Sequence, residues 1–435
     1  MIHAGAHIGG ITCIVIFVTS YALVLFEEKI HLSKSKPVML SAGLIWTIIG
    51  FVAPDFGVSH HTLHEAVFHG LGEYASLLLF LLSAMTFISV LEDRNLFAVL
   101  REKLVQSGMS FRQIFWATGF VAFFLSPVAD NLTTALVMGA VVLAVGGTAS
   151  RFIALSCINI VSAANAGGAF SPFGDITTLM VWQAGHVDFF EFFTLFLPAL
   201  VNFLVPALLM SFAVEAGKPD PLTEDIALKK GAFFIAGLFL ATIALAVCFE
   251  QFLGLPAFLG MMTGLSVLMM TAWGLRFTEG QDDRQFNIFD NIARVEWDTL
   301  LFFFGVIFSV SGLAFLGYLE ALSQTFYTDL GPHVSNIAIG FVSAILDNIP
   351  VMFAVLAMEP QMDHFQWMLI TLTAGVGGSL LSIGSAAGVA LMGTARGHYT
   401  FASHLKWLPA LLLGYIASIA VHYIVHGRSM MEIFG

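Results

Sequence analysis

The sequence predicts an all-α polytopic membrane protein with two inverted repeats, each of five transmembrane helices and one re-entrant hairpin, and with two interrupted helices. Its composition is 58% hydrophobic and only 11% charged. Many uncharged runs are long enough to cross a hydrocarbon core of about 30 Å. Three motifs also recur in the same order in the two halves of the chain.

Ten apolar segments have the length of a membrane-crossing helix, which needs about 20 residues. In chain order they are residues 8–26, 37–53, 74–91, 152–185, 192–214, 231–249, 257–275, 299–319, 367–395 and 407–425.

Two further apolar stretches, 113–150 and 333–360, do not fit single crossings. The first has 38 residues, which is too few for two full crossings of about 20 residues each. We expect each stretch to form a re-entrant helical hairpin. In the first hairpin, the break is predicted at Ser126-Pro127 and the tip at Asp130-Asn131.

Basic residues predict the orientation, because short cytoplasmic loops collect Lys and Arg. With the N-terminus outside, sixteen of the seventeen Lys and Arg residues are cytoplasmic, including Lys29, Arg276 and Arg284. Only Arg428 falls outside. The expected protein is integral to a bacterial inner (cytoplasmic) membrane, with the lipid bilayer as partner and both termini outside.

The repeats are visible as paired motifs. "EYASLLLFLLSAMTF" parallels "EWDTLLFFFGVIFSV", "VADNLTTALV" parallels "AILDNIPVMFAV", and "ANAGGAFSPFGD" parallels "AGVGGSLLSIGS". Their offsets are 223, 217 and 210 residues. Five crossings per half make the second copy face the opposite way, as in many secondary transporters. The predicted division is 1–230, the first repeat with a cytoplasmic linker, and 231–435, the second repeat.

The third pair of motifs predicts interrupted helices. A continuous helix between Arg151 and His186 would measure about 50 Å at 1.5 Å per residue, which exceeds the bilayer core. Gly and Pro in "NAGGAFSPFGD" disfavour a helix interior. Unwound backbone at membrane depth survives where it is buried or lines a wet cavity. Polar residues at the tips and breaks are Asp130, Asn131, Thr133, Asn165, Ser171, Asp175, Thr177 and Thr178 in the first half, and Ser343, Asp347, Asn348, Ser382 and Ser385 in the second.

These side chains all carry oxygen and none is basic, which favours a hard cation over an anion. Sodium, lithium and the proton are the natural candidates, because a desolvated carboxylate binds either a proton or a metal ion. Asp130 and Asp175 are the predicted ligands of Na⁺ or Li⁺. Asp347 also fits a helix N-cap shortly before Pro350.

Several motifs resemble the NhaD-type sodium/proton antiporters of the ion transporter superfamily: "SPVADNLTTAL", "INIVSAANAGGAFSPFGDITTLMVWQAG", "EWDTLLFFFG" and "LDNIPVMFA". The resemblance covers essentially the whole chain and implies a homodimer that exchanges internal Na⁺ or Li⁺ for external H⁺. It implies functional roles for Asp130, Asn131, Thr133, Asn165, Asp175, Thr177, Thr178, Ser343, Asp347, Asn348, Ser382 and Ser385. Related dicarboxylate carriers have Ser-Asn-Thr at their hairpin tips. Asp-Asn here weighs against a carboxylate substrate.

The alternatives are a sodium-coupled carrier of an anion or metalloid, a channel and an intramembrane protease. "FGD" at Phe173 resembles part of the Gly-x-Gly-Asp protease signature, but Pro172 replaces its first glycine and the Tyr-Asp partner motif is missing. We therefore expect a transporter and no enzyme. No cofactor besides the transported ions is expected, and no nucleic-acid partner.

Overall fold

The computed structural model describes residues 7–25, 30, 32–106, 108–218, 226–275 and 287–429. Three of the predicted cytoplasmic basic residues, Lys29, Arg276 and Arg284, lie outside this part of the chain. The described residues form twenty α-helices and no β-strand.

The helices of the first half are α1 (Ile8–Leu25), α2 (Ser35–Val52), α3 (His60–Asp93), α4 (Leu96–Gln106), α5 (Phe111–Ala129), α6 (Asn131–Gly146), α7 (Ser150–Gly168), α8 (Ile176–Gln183) and α9 (Phe196–Ser211). Those of the second half are α10 (Ala232–Leu253), α11 (Ala257–Leu275), α12 (Ile288–Ala293), α13 (Trp297–Phe315), α14 (Tyr318–Ser323), α15 (Pro332–Ile345), α16 (Asn348–Ala357), α17 (His364–Gly377), α18 (Ala386–Thr394), α19 (Phe401–Leu405) and α20 (Leu408–Val425). Two 3₁₀ segments, Ala53–Phe56 and Glu191–Leu195, and a π segment, Gln324–Asp329, adjoin them.

Eight helices in the described residues are long and apolar enough to cross a membrane. Seven coincide with predicted crossings, and the eighth is α5, the first arm of the predicted first hairpin. The crossings predicted at 152–185 and 367–395 are each divided into two shorter helices. The chain is therefore an all-helical integral membrane protein.

The predicted break at Ser126-Pro127 is wrong. Helix α5 continues through Pro127 and ends at Ala129. A proline removes one helical N–H, here the partner of the Phe123 carbonyl, but it does not force the next residues out of helical geometry when the helix ends within a turn. The chain turns instead at Asp130, whose φ is 59°.

The third crossing, predicted from residue 74, begins earlier in the structure, because α3 starts at His60. Its first turns carry an imidazole and a carboxylate at i and i+4 twice, His61 with Glu65 and His69 with Glu73, each at 3.4 Å. Such pairs support a solvated helix surface by a few tenths of a kcal/mol each. The polar residues before position 74 therefore extend α3 beyond the predicted crossing.

One compact unit contains residues 1–93, 230–329 and 353–360. In it, α2 packs against α1 and α13, and α10 packs against α11. Its packed core includes Cys13, Ile45, Ile49 and Leu313.

The second unit contains residues 94–229, 330–352 and 361–435. Here α5 and α6 pack against α7, α15 packs against α17, and α9 packs against α20. Apart from the end of α16, both predicted hairpins and both divided helices belong to this unit. Both units draw segments from either side of position 230, so the division into 1–230 and 231–435 remains a prediction about sequence order.

Candidate functional site

The first break in a helix separates α7, which ends at Gly168, from α8, which begins at Ile176. Asp175 is the N-cap of α8, and its Oδ1 accepts a hydrogen bond from the Thr177 amide N–H at 3.0 Å. The Asp175 side chain is only 4% exposed. The Thr178 hydroxyl donates to the carbonyls of Ser171 at 2.8 Å and Asp175 at 2.6 Å. The break is therefore a defined turn that ends on a buried carboxylate.

The second break separates α17 from α18 in the same manner. Ser385 is the N-cap of α18, and its Oγ accepts from the Gly388 N–H at 3.4 Å. Ser385 thus has the place in the second break that Asp175 has in the first. The two breaks differ in charge: one helix start is capped by a carboxylate and the other by a hydroxyl.

The tip of the first hairpin is Asp130, which caps α6. Its Oδ1 accepts from the Thr133 N–H at 2.8 Å, and its Oδ2 accepts from the Thr133 hydroxyl at 2.9 Å. Its φ of 59° and ψ of 165° lie outside the left-handed helical region, in a conformation that residues other than glycine rarely adopt. In this conformation both carboxylate oxygens of Asp130 bind Thr133.

The two hairpin tips and the two breaks meet at Asp175. Its Oδ2 accepts from the side-chain amides of Asn131, at 2.8 Å, and Asn348, at 2.9 Å. The Asn131 amide also lies 3.0 Å from Asn165 Oδ1, and Asn165 Nδ2 donates to Ser385 Oγ at 2.9 Å. One buried carboxylate is therefore held by an amide from each hairpin and is linked through Asn165 to the second break.

The structure brings half of the predicted site residues into this network and places the others around it. Joined to the Asp175 carboxylate directly or through one another are Asn131, Asn165, Thr177, Asn348 and Ser385. The remaining ones bind elsewhere: Asp130 and Thr133 to each other, Thr178 to the first break, and Ser343 to the Ala374 carbonyl at 2.7 Å. Asp347 immediately precedes Asn348, whose amide binds Asp175, and Ser382 lies in the second break, between α17 and α18.

Each hairpin is fastened to its neighbouring divided helix by two equivalent contacts. The Ser126 hydroxyl donates to the Ala164 carbonyl at 2.6 Å, as Ser343 does to Ala374. At Gly167 an added Cβ would lie 2.2 Å from the Phe123 carbonyl oxygen. At Gly377 it would lie 2.2 Å from the Gly340 carbonyl oxygen. Only glycine permits these approaches of backbone to backbone.

Sequence reasoning missed Ser126 as a fastening residue and missed Tyr399 and His404 near the second break. The repeat offset of 217 residues pairs Ser126 with Ser343, so that signal was available. Tyr399 and His404 lie in "GHYTFASH", which has no apolar periodicity and resembles an ordinary loop.

The arrangement suits a small cation as substrate. Carboxylate and amide oxygens are ligands that hard cations prefer, and the Asp175 carboxylate accepts hydrogen bonds from N–H groups of uncharged residues. The described residues contain no cluster of three or more His, Cys, Asp or Glu that could hold a metal ion. Hairpin tips that meet interrupted helices around one buried carboxylate define the class of secondary transporters.

Comparison with known proteins places the chain within that class. The family model "CitMHS: Citrate transporter" matches residues 21–375. The chain is 56% identical to the Na(+)/H(+) antiporter NhaD of Alkalimonas amylolytica over 436 residues, 95% of this chain and 90% of that protein. It is 52% identical to NhaD of Vibrio cholerae serotype O1 over 442 residues, 97% and 92% of the two chains. It is also 34% identical to Sodium/proton antiporter 1 of Arabidopsis thaliana, over 94% and 72% of the two chains. The chain belongs to the NhaD-type sodium/proton antiporter family, whose members are transporters and not enzymes.

Proposed function

We propose that the protein exchanges Na⁺ or Li⁺ for H⁺ across a bacterial inner membrane by secondary active transport. The observation that carries the proposal is the buried Asp175, held by one amide from each hairpin tip. The similarity of the chain to relatives named Na(+)/H(+) antiporter NhaD also supports the proposal.

In the proposed mechanism, cation and proton compete for intramembrane carboxylates. Asp175 binds either H⁺ or the metal ion, because protonation removes the charge that attracts the cation. The amides of Asn131 and Asn348 keep their hydrogen bonds to Asp175 Oδ2 in the ionised site, and side-chain oxygens of the surrounding site residues complete the proposed coordination shell of the cation. Asp130 joins the exchange when it releases Thr133, whose two hydrogen bonds hold it at the helix start.

The two halves are proposed to be inverted repeats. Equivalent contacts recur at the offsets of the paired motifs: Ser126 and Ser343 are 217 positions apart, and their acceptors Ala164 and Ala374 are 210 apart. Gly167 and Gly377 repeat with the same offset of 210. Opposite orientation would let two helix starts, at Asp175 and Ser385, face one another.

The second candidate is a sodium-coupled carrier of an anion, which the printed description of the matching family model favours. The site chemistry weighs against it. No Lys or Arg occurs between Arg151 and Lys218 or between Arg294 and Arg396, whereas carboxylate recognition usually employs Arg.

The assembly is proposed to be a homodimer in the lipid bilayer with both termini outside, as expected for this family. Chemical cross-linking in native membranes tests the dimer. A single cross-linked species of twice the chain mass is expected, and only monomer would contradict it.

The activity is tested in everted vesicles from cells that lack other sodium/proton exchangers. Adding Na⁺ or Li⁺, with no citrate or other anionic solute besides chloride, is expected to reverse the quenching of a pH dye. Asp175→Asn should abolish the response, whereas the exposed control Asp188→Asn should retain it. No response to sodium alone, with a response to sodium plus citrate, would favour the anion carrier.

Competition is tested by the apparent KM for sodium against pH. The KM should fall as proton concentration falls, until the carboxylates are fully ionised. A KM that stays flat from pH 6 to 9 would mean separate sites for H⁺ and Na⁺.

A further inference from the structure

A buried tyrosine and histidine lie against the second break. Tyr399 is 1% exposed and His404, on the short helix α19, is 0% exposed. His404 Nε2 lies 3.0 Å from the Ser379 carbonyl oxygen, and its Nδ1 lies 2.7 Å from the Tyr399 hydroxyl. Both ring nitrogens therefore have partners although neither residue belongs to the transmembrane segments.

These contacts define the protonation of His404. A carbonyl oxygen only accepts, so Nε2 carries the hydrogen and donates it to Ser379. In the neutral ring Nδ1 then accepts, and the Tyr399 hydroxyl is its donor. Burial lowers the pKa of His404 to about 4, so the ring is neutral at cytoplasmic pH and keeps this single pattern.

The anchored carbonyl adjoins the part of the break that reaches the candidate site. Ser379 follows Gly378, where an added Cβ would lie 2.7 Å from the Gly384 carbonyl oxygen and 3.3 Å from Ser385 Cβ. The break thus folds back on itself with no free space at that point. Ser385 in turn accepts the Asn165 amide, which is linked to Asn131 and Asp175.

The first break has a different neighbour at the equivalent place. Phe189, 210 positions before Tyr399, lies with its ring centre 6.1 Å from that of Phe173 and 5.7 Å from that of Trp182. That contact is apolar and has no directional hydrogen bond. The first break carries its own buried carboxylate, whereas the second relies on the position of a serine hydroxyl.

We propose that His404, oriented by Tyr399, is a positioning residue for the cation site: it anchors the Ser379 carbonyl so that Ser385 meets the Asn165 amide. This inference rests on the proposed exchange of sodium for protons. Losing the anchor would let the second break relax, misplace Ser385 and loosen Asn165, without removing any group that touches the cation.

The test is a set of variants assayed in everted vesicles for sodium KM and maximal rate. His404→Leu should raise the KM for sodium about fivefold to tenfold, as expected for lost neutral hydrogen bonds, with the maximal rate little changed. Tyr399→Phe, which removes one hydroxyl, should raise it less. His404→Gln can donate to Ser379 and accept from Tyr399, and should restore most of the affinity. The control is His398→Leu. His398 lies in the same segment as His404, but its ring contacts Ser150 at the start of α7, so the KM should be unchanged.

A double-mutant cycle separates positioning from general stability. Ser385→Ala alone should raise the KM, and adding His404→Leu should raise it by less than the product of the two single effects, because both act through one contact. The inference would be overturned by a KM within twofold of wild type in both His404→Leu and Tyr399→Phe. It would also be overturned if the KM increase in the double variant equalled the product of the two single increases, or if His404→Gln were as impaired as His404→Leu. If His404→Leu does not reach the membrane, Tyr399→Phe decides. If the unmutated protein showed no sodium-dependent proton exchange, the proposed function itself would be overturned.

Discussion

The two amides on Asp175 offer a quantitative test of exchange by competition. In Asn348→Ala, Asp175 Oδ2 loses the donor at 2.9 Å. In Asn131→Ala it loses the donor at 2.8 Å, and Asn165 Oδ1 loses its partner at 3.0 Å as well. Each variant removes one donor from the carboxylate, so both make the ionised form harder to form, by a similar amount.

The expected size follows from the strength of these bonds. A hydrogen bond to a charged group contributes about 1.5–3 kcal/mol, which corresponds to a change of about 10- to 150-fold in an equilibrium constant. The empty ionised site and the sodium-bound site both lose the bond, so intrinsic sodium affinity changes little. The proton, which neutralises Asp175, competes better. The neutral bond lost in Asn131→Ala is present in both protonation states of Asp175, so its loss lowers stability by about 1 kcal/mol without favouring the proton.

The measurement is the apparent KM for sodium at several pH values in everted vesicles. The ratio of variant to wild-type KM should be large at acidic pH and shrink towards one as pH rises and the proton ceases to compete. Asn336→Ala is the matched control, because this buried amide donates to Gln366 Oε1 at 2.9 Å instead. The reasoning is refuted if the KM ratio is independent of pH, or if Asn336→Ala matches the two site variants.

Three further results are expected. Gly167→Ala should lower exchange activity and folded yield strongly, since its Cβ would lie 2.2 Å from the Phe123 carbonyl oxygen; near-normal activity would show that α5 and α7 move apart easily. Because the folded-state pKa of His404 is about 4, against 6.5 when unfolded, the unfolded chain takes up a proton first as pH falls. Stability should therefore drop by as much as about 3 kcal/mol between pH 6.5 and 4, and thermal unfolding of His404→Gln should show a smaller drop. Single cysteines replacing Lys34 and Asp329, in a chain without native cysteines, should be labelled only from the cytoplasm and only from outside, respectively; labelling from one side would contradict the proposed topology.

The breaks in the helices could be predicted because their sequence conflicts with two simple limits. A run of apolar residues too long for the bilayer, with Gly and Pro inside it, has to stop being helical somewhere. The meeting of Asn348 with Asp175 could not be located this way, because 173 residues separate them and no local pattern encodes the distance.

The role of Asp130 shows a second limit of sequence reasoning. An acidic residue three positions before a threonine fits both a cation ligand and a helix N-cap, since both roles need a carboxylate oxygen aimed at the following turn. The structure has the N-cap arrangement. The break predicted at Pro127 was misplaced for a related reason. A proline indicates that a helix is interrupted nearby, but not whether the interruption lies before or after the proline.

The fastening of each hairpin to its divided helix limits how transport can proceed. Helices α5 and α7 are held together by the hydrogen bond from Ser126 to the Ala164 carbonyl and by the close approach of Gly167 to the Phe123 carbonyl. Helices α15 and α17 are held in the same way by Ser343 and Gly377. Packed backbones of this kind behave as single bodies, because sliding would cost both the contact and the hydrogen bond. The proposed cation site at Asp175 therefore lies between two rigid helix pairs, α5 with α7 and α15 with α17, and the movement that admits or releases the ion has to occur where these pairs connect.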